Sequence, residues 1–208
     1  MSTEKNNKPI IAVDIDDVIA SSASAFIAYS NDKYGTHLTV DDYQERWSEL
    51  WKVDRDEVIK RAHEYHESGH HATYEVISEA SDSLKKLKTK FKLIVITTRR
   101  NSINQLTKDW INKFYPDIFD DFVFTGFFDN PDITGVHMTK AELAKNAGAQ
   151  YLIDDQLKHI MASSEIGING LLFGDYFWNR ADSLPVNVTR VKNWEEVLKY
   201  FDKITNLS

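Results

Sequence analysis

Short apolar runs recur along this chain: Ile10-Ile11-Ala12-Val13, Leu93-Ile94-Val95-Ile96, Tyr151-Leu152-Ile153 and Leu171-Leu172-Phe173. A strand with one wet face alternates apolar and polar residues. An unbroken apolar run is the pattern of a strand buried on both faces. Helical periodicities separate these runs, and strands alternating with helices imply a mostly parallel sheet covered on both sides. The fold class is therefore α/β, with no internal repeat and no low-complexity segment.

The helical stretches can be placed from spacing and end signals. Ala23, Phe26, Ile27 and Tyr34 predict a helix over residues 20–34, stopped by Gly35. Thr39 reads as the N-cap of one helix carrying Val40, Tyr43, Trp47, Leu50 and Trp51 on a stripe. Asp54 and Glu57 resemble a capping box for a helix with Val58, Ala62, Tyr65 and His66, ending near Gly69. Further helices are expected near residues 79–90, through Ile103, Leu106, Trp110, Ile111 and Phe114, and from Thr139 to Gly148. Two more follow, through Leu157, Ile160 and Met161 and through Trp194, Val197, Leu198 and Phe201. Phe122-Val123-Phe124 and Val188–Val191 are the weaker strand candidates, and a loop with Asn130-Pro131-Asp132 and Gly135 follows the first.

The first two strong runs are too far apart for a simple crossover. Asp14 and Thr97 lie 83 positions apart; a strand–helix–strand unit needs about 30 residues, which leaves roughly 50 in surplus. The surplus reads as helical and rich in aromatic residues. It implies an all-helical insertion over residues 19–81, with residues 1–18 and 82–208 forming the core.

The chain carries a net charge of −7 and no cysteine. The acidic balance argues against a general nucleic-acid binder, which shows a basic face. The missing cysteines remove disulfides, thiolate metal sites and thiol nucleophiles, and suit a reducing cytosol. The polar opening and short first apolar run match neither a signal peptide nor a membrane span, so a cytoplasmic protein is expected.

Ligands of open parallel sheets bind beyond the carboxyl ends of the strands. Three of the runs end there in polar residues: Asp14 and Asp16, then Thr97 and Thr98, then Asp154 and Asp155. Lys140 opens the helix that precedes the third of these. On an extended backbone Asp14 and Asp16 project to the same side. The set suits phosphoryl transfer. Asp14 and Asp154 are hard oxygen ligands of the type Mg²⁺ prefers, and Lys140 offsets repulsion between carboxylate and phosphate. Thr97, with its neighbour Thr98, can donate to phosphoryl oxygens. Asp14 as nucleophile would give an aspartyl-phosphate, while Asp16 protonates the leaving oxygen and later deprotonates water.

Asp14-Ile15-Asp16-Asp17-Val18, Thr97, Lys140 and Asp154-Asp155 together resemble the four motifs of the haloacid dehalogenase superfamily, over residues 9–178. The resemblance implies a Rossmann-like core, Asp14 as nucleophile and Asp16 as general acid/base. It also implies Mg²⁺ held by Asp14, Asp154 and the main-chain carbonyl of Asp16, with Asp155 beside it. Dehalogenases proper lack the second aspartate, so Asp16 implies the phosphatase branch. A helical insertion at this point is similar to the C1 type of cap. Thr97-Thr98-Arg99 and the segment Gly170–Asn179 resemble bacterial relatives of the 5′(3′)-deoxyribonucleotidases. Asp17 departs from that pattern, standing where many members have glycine.

The expected activity is a Mg²⁺-dependent phosphomonoester hydrolase acting on nucleoside monophosphates. A sugar-phosphate phosphatase and a non-catalytic Mg²⁺-binding regulatory domain are the alternatives. The partner is a small phosphorylated substrate rather than nucleic acid or membrane. Phe26, Tyr43, Trp47, His66 and Arg99 are the candidates for substrate contact. The spacing of Trp47 and Trp51 equally suits packing of at least one of them inside the insertion. His63, His66, His70 and His71 lack an acidic third ligand at a matching spacing and read as a polar helix end. Asp129, Asp132 and His137 read as loop residues.

Overall fold

The computed structural model describes residues 8–126 and 138–205. The expectations for Asn130-Pro131-Asp132, Gly135, Asp129 and His137 lie outside them. Among the described residues, six strands form one sheet: β1 (Ile10–Val13), β2 (Lys92–Thr97), β3 (Asp121–Phe124), β4 (Ala149–Asp154), β5 (Asn169–Phe173) and β6 (Val188–Val191). Their order is β3-β2-β1-β4-β5-β6, and every neighbouring pair is parallel.

The continuous apolar runs are explained by layers on both faces. Ile11, Val13, Leu93, Val95, Ile153 and Leu171 pack on one side with Phe91, Trp110, Trp194 and Phe201. Ala12, Ile94, Ile96, Leu152 and Leu172 pack on the other with Ala144, Ile160 and Val188. The second layer is close: a Cβ on Gly170 of β5 would stand 2.7 Å from Ile160, so only glycine lets that helix lie directly on the strand. Among the described residues, the later helices are α4 (Ala80–Lys90), α5 (Asn104–Phe114), α6 (Lys140–Asn146), α7 (Leu157–Glu165) and α8 (Trp194–Thr205). Thr139 and Glu142 close a capping box on α6, which sets where Lys140 begins its turn.

Between β1 and β2 stand α1 (Ser22–Tyr34), α2 (Trp47–Trp51), α3 (Arg55–Glu67) and two short 3-10 turns, Val40–Asp42 and His70–Thr73. Gly35 ends α1 in the left-handed conformation, φ 63°. The single helix expected from Thr39 to Trp51 is instead broken. Thr39 does cap, with a capping box to Asp42, but it caps a 3-10 turn; the chain then extends at Tyr43 before α2 begins. Asp54 caps Glu57 N at 2.9 Å as expected, whereas the Glu57 carboxylate turns outward to Arg61 at 2.9 Å. The two connections to the core run side by side. Ser21 N donates to Glu75 O at 2.8 Å, and Ile77 N donates to Ile19 O at 3.0 Å.

Among the described residues, no helix is long and apolar enough to cross a membrane.

Candidate active site

The strand order puts β1 between β2 and β4, so the three strand ends that carry polar residues are adjacent. The crossover direction reverses between β1 and β4, and such a switch point is where open α/β sheets bind ligands. Asp14 extends β1 by one hydrogen bond, its N donating to Ile153 O at 2.9 Å. Asp154 ends β4. Lys140, only 3 % exposed, lies between them with Nζ 2.8 Å from Asp14 Oδ2 and 2.8 Å from Asp154 Oδ2. Asp14, Asp154 and Asp155 each offer a carboxylate oxygen, all within 4.8 Å of one another.

Asp16 faces a different cation. Arg99 holds it bidentately, Nε to Oδ2 at 3.0 Å and Nη2 to Oδ1 at 2.6 Å. The guanidinium also donates to Thr107 Oγ1 at 3.3 Å and lies 5.2 Å from the Tyr74 ring centroid. Thr97 is fully buried, its hydroxyl accepting from Arg99 N at 3.2 Å. Thr98 lines the neighbouring cavity. Asp17 has φ 53°, which explains a position compatible with glycine; aspartate is among the few other residues that visit this region. Its carboxylate accepts from Ser22 Oγ at 2.7 Å and from Ala23 N, so it caps α1.

Charge is unbalanced in this centre. Four carboxylates, Asp14, Asp16, Asp154 and Asp155, meet two cations, Lys140 and Arg99. Burial lifts Asp14 to about 8, against the pull of Lys140 and with the repulsion of Asp154 and Asp16. Burial and the Asp154 charge push Asp155 well above the carboxylate range. Burial works to raise Asp16 as well, but the Arg99 charge and hydrogen bonds outweigh it and hold it below its ordinary value. Burial would lower Lys140, yet Asp14 and Asp154 hold its ammonium above the ordinary lysine value. Three hard oxygen donors under this strain are a donor set that suits a small divalent cation. Asp14, Asp154 and Asp155 are the side chains placed to hold one.

A cavity of about 370 Å³ opens onto the carboxylates and runs up into the insertion. Phe26, Tyr43, Trp47, His66 and Arg99 all line it. Trp47 stacks on Phe26 at 4.4 Å, whereas Trp51 is buried in packing with its Nε1 on Ser30 Oγ. The histidines divide: His63, His66 and His71 line the cavity, the last two stacked at 5.2 Å, and His70 rests against Tyr29. His71, which the sequence reads as part of a polar helix end, and Tyr65, which it reads only as a helix stripe, reach the cavity, as does Tyr74, which it does not single out. Nor does it single out Trp178, which stands beside the carboxylates with its Nε1 donating to Asp155 Oδ2. Only the resemblance around Gly170–Asn179 pointed at the last of these.

The family described as "5′ nucleotidase, deoxy (Pyrimidine), cytosolic type C protein" matches residues 8–204. A Bacillus subtilis protein, YqfW, whose name assigns it provisionally to the nucleotidases, is 24% identical over 196 residues, covering 92% of this chain and 93% of its own. The haloacid dehalogenase-like hydrolase SP0104 of Streptococcus pneumoniae shares the fold with TM-score 0.68 at 18% identity, over 94% of this chain and 99% of that one. YfnB of Bacillus subtilis, a hydrolase provisionally placed in the same superfamily and solved bound to magnesium, aligns with TM-score 0.57 at 15% identity, over 94% and 99%. The match across nearly the whole chain shows that this protein belongs to the cytosolic type C 5′-nucleotidase family, and so to the phosphatases of the haloacid dehalogenase superfamily.

Proposed function

We propose that the protein hydrolyses nucleoside monophosphates, with Asp14 as nucleophile, Asp16 as general acid and base, and Mg²⁺ as cofactor. The observation that carries this is the convergence of Asp14, Asp16, Asp155 and Lys140 at the floor of a cavity with an aromatic roof, with Asp154 buried behind Lys140. Pockets for small ligands begin at about 300 Å³, so about 370 Å³ suits one nucleotide.

Asp14 Oδ attacks phosphorus while the bond from phosphorus to the ester oxygen breaks. The departing oxygen takes a proton from Asp16, which leaves an aspartyl-phosphate. Water then attacks that phosphorus, gives its proton to Asp16 and releases inorganic phosphate with Asp14 restored. Arg99 favours the ionised Asp16 needed in the second half. A phosphate entering beside Arg99 competes for the guanidinium, which raises the proton affinity of Asp16 for the first half. Lys140 holds the Asp14 carboxylate in place and offsets its repulsion of the phosphate, and Thr97 and Thr98 supply hydroxyl donors from the end of β2. Bound at Asp14, Asp154 and Asp155, with the main-chain carbonyl of Asp16 as the further ligand, Mg²⁺ would neutralise phosphoryl charge; a structural relative solved with magnesium supports that choice.

Residues 19–81 act as a cap in this reading. Support comes from the paired connections at Ile19–Ser21 and Glu75–Ile77, which leave and re-enter the core at one place. Half-buried Trp47, backed by the buried ring of Phe26, offers a nucleobase an aromatic surface, and base–aromatic stacking is worth about 1–3 kcal/mol.

A panel of nucleoside monophosphates and sugar phosphates, assayed with Mg²⁺, tests the assignment. Nucleotides should be the preferred class, and Asp14→Asn should abolish turnover while remaining folded. Full activity in Asp14→Asn or in excess chelator would refute the mechanism, and a sugar phosphate as best substrate would refute the substrate class.

A further inference from the structure

Trp178 belongs to none of the four motifs, yet it touches the acidic centre. Its Nε1 donates to Asp155 Oδ2 at 2.7 Å, and Gln156 Nε2 reaches the same oxygen at 2.9 Å. Two donors on one oxygen fix the rotation of a carboxylate that is 2 % exposed. Asn179 Nδ2 adds bonds to the main-chain oxygens of Asp155 at 3.0 Å and Phe173 at 2.8 Å, which ties the end of β4 to β5.

The loop that presents Trp178 is itself braced. Tyr176 stacks on the indole at 4.5 Å and 5°, and its hydroxyl donates to Asp17 O at 2.8 Å. Arg190 Nη1 donates to Gly174 O and to Asn179 Oδ1, both at 2.9 Å. From the insertion, Tyr43 meets the same indole edge-on at 5.0 Å and 69°. One aromatic side chain therefore contacts a carboxylate of the acidic cluster and a residue that lines the cavity from above.

We propose that Trp178 is a positioning residue for the cation-binding carboxylates, and that its contact with Tyr43 couples cation affinity to docking of the insertion. The proposal rests on the reading that Asp14, Asp154 and Asp155 hold a divalent cation. Groups that orient a metal-ligating carboxylate change metal affinity by about 10–100-fold when removed. Coupling is reciprocal: whatever Tyr43 docking adds to cation affinity, the cation returns to docking.

The test is a titration of the full-length protein with Mn²⁺, without substrate, reading the free ion by electron paramagnetic resonance. Trp178→Phe keeps the ring but not the donor and should weaken Mn²⁺ binding about 10-fold or more. Trp178→His, which retains a ring N–H, should recover part of that loss. Tyr43→Leu leaves the donor in place and should weaken binding severalfold in the same direction. Denaturation curves without cation show whether each variant is folded; if Trp178→Phe is not, Trp178→His and Tyr43→Leu decide. Wild-type affinity in Trp178→Phe, or a Trp178→His no tighter than Trp178→Phe, overturns the positioning role. Unchanged affinity in Tyr43→Leu overturns the coupling. A wild-type protein that binds no Mn²⁺ overturns the proposed cofactor as well, which separates the two failures.

Discussion

Arg99 is the residue whose role depends most on what lies far from it in sequence. The resemblance of Thr97-Thr98-Arg99 leaves it open between a substrate contact and an ordinary solvated helix start. Folded, it grips the carboxylate of Asp16, 83 positions away, and is held by Thr107 and the Tyr74 ring. Lysine cannot reproduce a planar two-point contact with a carboxylate. Arg99→Lys should therefore lower kcat about 10–100-fold, equivalent to about 1.4–2.8 kcal/mol, with KM changed much less. Steady-state kinetics on the best nucleotide checks this; a raised KM at unchanged kcat would make Arg99 a ground-state substrate contact instead. Asp14, Thr97 and Asp154 were legible because a buried strand announces its own end, and Lys140 because Thr139 announces a helix start. Thr107, Tyr74 and Trp178 were not legible, because each earns its place only through a contact across the fold.

At the level of elements, strands were easier to read than the insertion. A strand buried on both faces writes its environment into every residue, whereas the stretch from Thr39 to Trp51 carries a helical stripe and no proline or glycine. The chain nevertheless extends at Tyr43, where ψ is 133°. The ring of Tyr43 meets Trp178 there, and Glu45 pairs with Lys158 of α7. Tertiary contacts override local propensity in such short elements. The 174–179 loop shows the opposite case, a local rule with a distant effect. Gly174 has φ 82°, and a Cβ there would lie 2.1 Å from the Tyr176 ring. Gly174→Ala should cost about 1–3 kcal/mol from backbone strain alone, measured by denaturant unfolding. The displaced Tyr176 should also shift the Trp178 fluorescence. A stability loss with unaltered tryptophan emission would mean that the loop absorbs the methyl group without moving the indole.

Across the whole molecule, one sheet order accounts for the site: β2, β1 and β4 are neighbours, so three distant segments deliver their polar ends to one crevice. The insertion above it buries polar groups that have a pH signature. Burial, with the Arg99 charge, depresses His71 to about 3, and burial depresses the stacked His66 to about 4. An unfolded histidine takes up its proton near pH 6.5, so below that pH the unfolded chain binds more protons than the native one. Stability contributed by neutral His71 is therefore complete above about pH 6.5 and is lost as pH falls toward 3. Buried carboxylates act with the opposite sign. Asp17, lifted to about 7 by burial, holds a proton that the unfolded chain has released, which favours the native state as pH falls from about 7 toward 4. The raw pH profile mixes both, so the informative quantity is the difference between wild type and His71→Gln. Removing His71, which is 4 % exposed, should make the protein less sensitive to acid by on the order of 2–3 kcal/mol between pH 7 and 4.5. Denaturant unfolding of both proteins at the two pH values reads that difference directly. Parallel losses in the two proteins would show that His71 is already solvated or protonated in the native state.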